Sequence, residues 1–181
     1  MSVQPFSYRL LVLLSLAASA CGGRGEHNIT LSDGTPYTNK SGDPHTVKLP
    51  DGSSVVLWPG TQMTIAKGFG TGRRDLELDG EAMFDVQGSA ASPFVIHTRN
   101  LEITVLGTRF HVDAFRKNAG EQVDLLEGRL RVKKSYRSDT DNEPEVLEAG
   151  EMVMINRDID LMEKEKMSPA ELDKVKAMHK P

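Results

Sequence analysis

Between Thr46 and Glu151 short stretches of alternating apolar and polar residues are broken again and again by glycine. The breaks are Asp51-Gly52, Asp79-Gly80-Glu81, Leu106-Gly107-Thr108, Glu127-Gly128-Arg129 and Ala149-Gly150-Glu151. Glycine accepts positive φ without a steric penalty, so each break reads as a turn. Gly52, Gly80, Gly107, Gly128 and Gly150 are therefore the expected fold-defining turns. Strands this closely spaced are expected to pair antiparallel. The fold class that follows is all-β: an antiparallel stack of short hairpins, sandwich- or β-roll-like, closed by a short C-terminal helix.

The strands can be placed from their two-residue period. Thr46–Leu49 and Ser54–Trp58 flank the turn Pro50-Asp51-Gly52-Ser53. Asp75–Leu78 and Ala82–Val86 flank Asp79-Gly80, with Ala82, Phe84 and Val86 on one face. Gly107 reads as a bend that lets strands cross closely, with Phe110 in the core. Met152 and Met154 alternate with Val153 and Ile155, which suits burial on both faces or a docking surface. Ser135 to Pro144 is polar and reads as a mobile excursion. Ser168-Pro169-Ala170-Glu171 carries helix-start signals, with Ser as N-cap, Pro at N1 and Glu three residues on. A helix over about 168–179 is expected, and a helix this short is marginal unless it docks.

Only one cysteine, Cys21, occurs in the 181 residues, so no disulfide can form within the chain. It directly follows the apolar stretch Leu10–Ala20, which is too short to span a bilayer and fits the core of a signal peptide. Ala18-Ser19-Ala20-Cys21 resembles a bacterial lipoprotein box, although leucine is usual where Ala18 stands. The expectation is a signal peptide over 1–20, lipidation at Cys21, and a flexible tether over 21–44. The alternative is ordinary cleavage near Ala20, leaving a free thiol. Gly22 after the cysteine favours the outer membrane over the inner. A β domain over 45–156 and a tail over 157–181 complete the expected organisation.

Charge and chemistry narrow the function classes. The net charge of −4 comes from acids and bases mixed along the chain, without a basic face, so nucleic acid is not an expected partner. His97, His111, Asp85 and Asp113 lack the converging spacing that a metal site needs, and no metal or cofactor is expected. Glu81 and Glu127 flank turn glycines and read as hairpin charges rather than a catalytic carboxylate pair. Arg109 is a candidate ion-pair partner for Glu81 or Glu127. Trp58 reads as a core residue rather than a ligand platform. No nucleophile has a base in a recognisable context, so the chain is not expected to be an enzyme.

Five phrases in order carry a resemblance. They are Leu49-Pro50-Asp51-Gly52-Ser53, Leu78–Val86, Pro93–Thr98, Val105–Val112 and Leu126–Val132. Together they resemble the FecR family, the periplasmic domain of iron-dicitrate-type sensor and anti-sigma proteins. The resemblance covers roughly Thr46 to Ile155. It implies a cytoplasmic region that grips a sigma factor, a transmembrane helix, the β domain and a further lobe that meets a TonB-dependent receptor. Only Met1–Tyr8 precede the apolar segment here, so sigma-factor binding is not carried over. The expected function is a periplasmic protein-interaction module in envelope signalling, related to sigma-factor regulation and TonB-dependent iron uptake. Its expected partner is an envelope protein, either a TonB-dependent receptor or a transmembrane sigma regulator. The alternatives are a scaffolding envelope lipoprotein and, motivated only by His97 and His111, a small-ligand binder or enzyme.

Overall fold

The structure, a computed structural model, describes residues 33–178. Seven strands come first: β1 (Thr35–Thr38), β2 (His45–Lys48), β3 (Ser54–Leu57), β4 (Gln62–Ile65), β5 (Arg74–Asp85), β6 (Phe94–His97) and β7 (Leu101–Val105). They are followed by β8 (Arg109–Ala114), β9 (Gly120–Glu127), β10 (Arg129–Lys134), β11 (Glu145–Glu148), β12 (Glu151–Asn156), β13 (Leu161–Lys166) and a helix, α1 (Pro169–Ala177). The all-β class with a short C-terminal helix holds.

The twelve-residue β5 organises everything else. Its first half pairs with β4 and β6, and its second half with β3 and β8. One sheet therefore runs β1-β4-β5-β6-β7-β10-β11 and the other β2-β3-β5-β8-β9-β12-β13. Asp79-Gly80 is not the expected turn. Leu76, Leu78, Gly80, Ala82 and Phe84 keep one two-residue phase, and all four side chains are buried. Gly80, at φ +138°, bends the strand from one sheet into the other. The Thr61 hydroxyl lies beside it, donating to the Glu81 carbonyl at 2.8 Å and accepting from the Glu81 N–H at 2.9 Å.

The pairing is not wholly antiparallel either. β5 and β6 run parallel, with Arg74 opposite Phe94 and Glu77 opposite His97. The chain leaves the end of β5, returns through Gln87–Pro93, and starts again beside the beginning of the same strand. Arg74 fastens that return. Its guanidinium donates to the Ser92 carbonyl at 2.7 Å, the Gln87 carbonyl at 2.8 Å and the Asp51 carboxylate at 3.1 Å. It also lies over the Phe94 ring.

Both sheets turn their apolar faces to a shared core. Phe84 and Phe110 stack at 5.1 Å, and Phe94 meets Phe84 edge-on at 6.3 Å. Phe110 is in the core as expected. The bend at Gly107 is a close crossing: a Cβ there would lie 2.7 Å from the Gly88 Cα. Gly52, Gly128 and Gly150 lie in the β2–β3, β9–β10 and β11–β12 connections.

Three boundaries differ from the sequence expectation. β1 lies inside the stretch read as tether and pairs with β4. Behind it the buried Asn39 donates to the carbonyls of Asp43 at 2.8 Å and Leu57 at 2.7 Å, so residues 35–44 are part of the fold. β13 lies inside the expected tail and pairs along its whole length with β12. The excursion after β10 is clasped rather than loose. Asp160, at φ +51°, accepts from the Ser138 hydroxyl at 2.8 Å, the Lys134 ammonium at 3.1 Å and the Tyr136 hydroxyl at 3.1 Å. These bonds hold the carboxyl of Asp160 below the usual carboxylate range, the Ser138 hydroxyl being the largest cause. Burial beside that carboxylate pushes the Tyr136 hydroxyl up to about 12.

The helix forms where its start signals place it. Ser168 is the N-cap, and the reciprocal bonds between Ser168 and Glu171 complete a capping box. This side-chain bonding depresses the Glu171 carboxyl. Ser168→Ala is expected to cost about 1 kcal/mol of helix stability, since it removes an acceptor from the first turn. Far-ultraviolet circular dichroism and amide exchange of residues 169–177 check this, and unchanged exchange there would contradict it.

Candidate interaction face

The sheet that contains β8 and β9 has a second buried layer on its outer side. Cross-strand register aligns Val56, Met83, His111, Asp124 and Met152 in one row. Side chains directly opposite in neighbouring strands touch, so the register decides the chemistry. Met83, Leu126, Met152, Met167 and Val175 form an apolar cluster separate from the main core. Trp58, Val56, Met154, Leu172 and Met178 pack around it. Helix α1 lies over this layer through Val175, so it docks on the sheet. Met152 and Met154 take the outer side and Val153 and Ile155 the core, as the alternating pattern implied.

His111 is the polar centre of this layer. It is 5 % exposed. Its Nδ1 lies 2.9 Å from the Asp124 carboxylate and its Nε2 lies 3.0 Å from that of Glu81. The edge of Trp58 meets its ring at 5.9 Å. Burial by itself would lower the imidazole's affinity for a proton. The hydrogen bonds to Asp124 and Glu81 and the charges of both overcome that and push it up to about 9. At neutral pH both ring nitrogens therefore donate. A doubly donating imidazolium has no lone pair for a metal and no capacity to act as a base. Its chemistry here is that of a clamp, bridging β5, β8 and β9 under the helix.

A cleft of about 260 Å³ opens between this clamp and α1, lined in part by Glu81, His111, Asp124, Lys174 and Met178. Among the described residues no group of three or more His, Cys, Asp or Glu could hold a metal.

The other sequence candidates fall elsewhere. His97 is on β6 in the opposite sheet, its Nδ1 4.0 Å from Glu102, so the two histidines do not share a site. Arg109 pairs with Glu127 at 3.0 Å and with Asp85 at 3.0 Å, not with Glu81. Glu81 and Glu127 are thus claimed by different cations and are not a carboxylate pair. Asp113 lines the cleft beside α1. Trp58 is half-buried at the rim of the outer layer rather than in the main core. Cys21 lies outside the described residues. Asp124 was not singled out from the sequence. A β-bulge sets its partnership with His111, because the register between β8 and β9 shifts at Arg109/Phe110 and leaves Leu126 as the extra residue.

Residues 35–131, more than half of the chain, match the family model described as FecR protein. The chain belongs to the FecR family. Two crystal structures from Parabacteroides distasonis, both of a protein provisionally described as an anti-sigma factor, resemble this FecR domain at 28% identity. One aligns with a TM-score of 0.69 over 80% of this chain and 64% of its own length. The other aligns with a TM-score of 0.66 over 74% of this chain and 60% of its own length. The chain thus spans less than two thirds of either relative. The likeness covers a larger share of the chain, 80%, than the family-model match over residues 35–131. Among curated proteins none matches.

Proposed function

We propose that this chain is a regulatory protein-interaction module of the cell envelope, acting in a sigma-factor signalling system. The observation that carries this is the FecR match together with the likeness to structures described as anti-sigma factors. The FecR family is a regulatory, non-enzymatic kind of protein, and the saturated His111 clamp agrees with that. In this reading the β domain stands in the periplasm, held by a lipid on Cys21, with the outer membrane favoured. Its partner is another envelope protein, a TonB-dependent receptor of an iron-uptake system or a transmembrane sigma regulator. The outer layer around α1 and Trp58 is the face offered to that partner.

In-cell crosslinking followed by affinity capture and mass spectrometry tests the partner. Specific recovery of a receptor or a sigma regulator, together with a changed transcript profile in a deletion strain, is the expected result. Recovery of abundant envelope proteins alone with an unchanged profile would replace signalling by scaffolding. The anchor has its own test. Cys21→Ser is expected to abolish palmitate incorporation and to shift the protein from the membrane to the soluble fraction. Two acyl chains are needed for firm anchoring, so loss of the thiol is expected to be all-or-none. Retention of the variant on membranes would rule the lipid out as the anchor.

A further inference from the structure

Helix α1 is held on the outer layer by very little. Of its nine residues only Val175 is buried. Leu172 is half-buried, and so is Met178 at the C-cap. These three side chains are the apolar stripe of the helix. The last backbone bond to the sheet, from the Met167 N–H to the Gly150 carbonyl at 2.9 Å, comes before the helix begins. Beyond it no hydrogen bond or ion pair joins α1 to the sheet among the described residues. The capping box at Ser168 is internal to the helix and survives undocking. A helix this short is marginal in water, so its place on the sheet depends on a few apolar contacts.

The surface beneath is built for more than α1 supplies. Five of the chain's eight methionines, Met83, Met152, Met154, Met167 and Met178, lie in this one layer. Methionine repacks around partners of different shape, so a layer this rich in it accepts a change of occupant. The cleft of about 260 Å³ between α1 and the His111 clamp means that the helix covers the layer without filling it. The sheet's share of that cleft carries three carboxylates, Glu81, Asp113 and Asp124, against the single cation of His111. Lys174 is the cation that α1 brings to it. On the reading that this layer is the partner face, we propose that α1 is a displaceable lid whose seat also receives an amphipathic helix of the envelope partner. That helix presents an apolar stripe to Met83, Leu126 and Met152 and a basic residue where Lys174 now stands, and α1 competes with it for the seat.

The test uses the full chain, with a labelled peptide of residues Met167–Met178 as the probe and fluorescence polarisation as the readout. Tethering holds α1 at an effective concentration of the order of millimolar, so the parent protein should bind the peptide poorly. Val175→Asp removes the buried anchor of the lid and spares the main core, because Val175 belongs to the separate outer cluster. This variant should bind the peptide about tenfold more tightly than the parent. Leu172→Asp, at a half-buried position, should act in the same direction. Adding Met152→Gln to Val175→Asp puts a polar group in the centre of the seat and should weaken binding about tenfold. A peptide carrying Lys174→Glu should bind about two- to fivefold more weakly at low salt, the worth of an exposed ion pair. No binding by Val175→Asp, binding equal to the parent's, or binding indifferent to Met152→Gln would overturn the lid. These measurements need no partner, so they succeed or fail apart from the signalling reading. In cells, Val175→Asp should raise the crosslinked recovery of the receptor or sigma regulator. Recovery unchanged from the parent would overturn the competition. Recovery of neither protein from parent or variant would overturn the signalling reading instead and leave the lid to stand or fall on the peptide.

Discussion

His111→Leu is expected to cost about 3–5 kcal/mol of folding stability at pH 7, the range for removing one partner from a buried ion pair. Asp124 is 1 % exposed and loses its only ring partner, while Glu81 loses the other nitrogen of the same ring. The leucine fills the volume but satisfies neither carboxylate. Denaturant unfolding of the variant and of His111→Leu/Asp124→Leu separates charge from packing. The double variant should recover much of the loss, because it removes the buried orphan Asp124 and leaves unpaired only Glu81, which is partly exposed to water. A single variant within 1 kcal/mol of the parent would refute the clamp.

The pH dependence has a sign that follows from the same geometry. The imidazole binds its proton more tightly in the fold, about 9 against 6.5. Its contribution is whole below pH 6.5 and is lost as the pH rises through about 9, amounting to about 3 kcal/mol. Glu121 is raised from 4.5 to about 7, chiefly by burial, against its bonds from Thr98 and Asn100. Its contribution is whole below pH 4.5 and is lost as the pH rises through about 7. The two descents join, so stability should fall from mildly acid to mildly alkaline pH. In His111→Leu the upper limb should flatten while the lower one persists. Asp160 acts in the opposite sense, because its depressed carboxyl withdraws support as the pH falls through the ordinary carboxylate range.

The face that carries this clamp was only partly legible in the sequence. The alternation of Met152 and Met154 with Val153 and Ile155 gave a strand buried on both sides, and the capping box at Ser168 gave the helix that covers it. His111 was visible as a strand residue, but its partners were not. Glu81 and Asp124 lie 30 and 13 residues away, and a one-residue change of register would put either on the other side of its sheet. The bulge at Arg109/Phe110 fixes that register, and no local residue preference announces it. The parallel β5–β6 pair was hidden for a related reason. Local spacing suggests antiparallel neighbours, whereas the long return through Gln87–Pro93 is held by Arg74, whose partners are remote in the chain.

Gly80 shows a signal that was present in the sequence and outweighed. Asp-Gly between apolar stretches is a strong hairpin cue. A hairpin, however, need not preserve the phase of the strand before it, whereas Leu76, Leu78, Ala82 and Phe84 stay in one phase through the glycine. The glycine is required because the strand must bend hard against β4. A Cβ at Gly80 would lie 2.5 Å from the Thr61 Oγ1 and 2.6 Å from its Cα. Thr61 cannot retreat, since its hydroxyl makes two bonds to the Glu81 backbone and its N–H donates to the Trp58 carbonyl at 3.1 Å. Gly80→Ala combines this overlap with a strained φ of +138° and is expected to cost about 3 kcal/mol or more. Gly150 provides the comparison. It has φ +88° but open space where a Cβ would go, so Gly150→Ala should cost only the conformational part, about 1–2 kcal/mol. Urea unfolding of the two variants measures the difference directly. A Gly80→Ala loss no larger than that of Gly150→Ala would mean that the strand can bend without the close approach to Thr61.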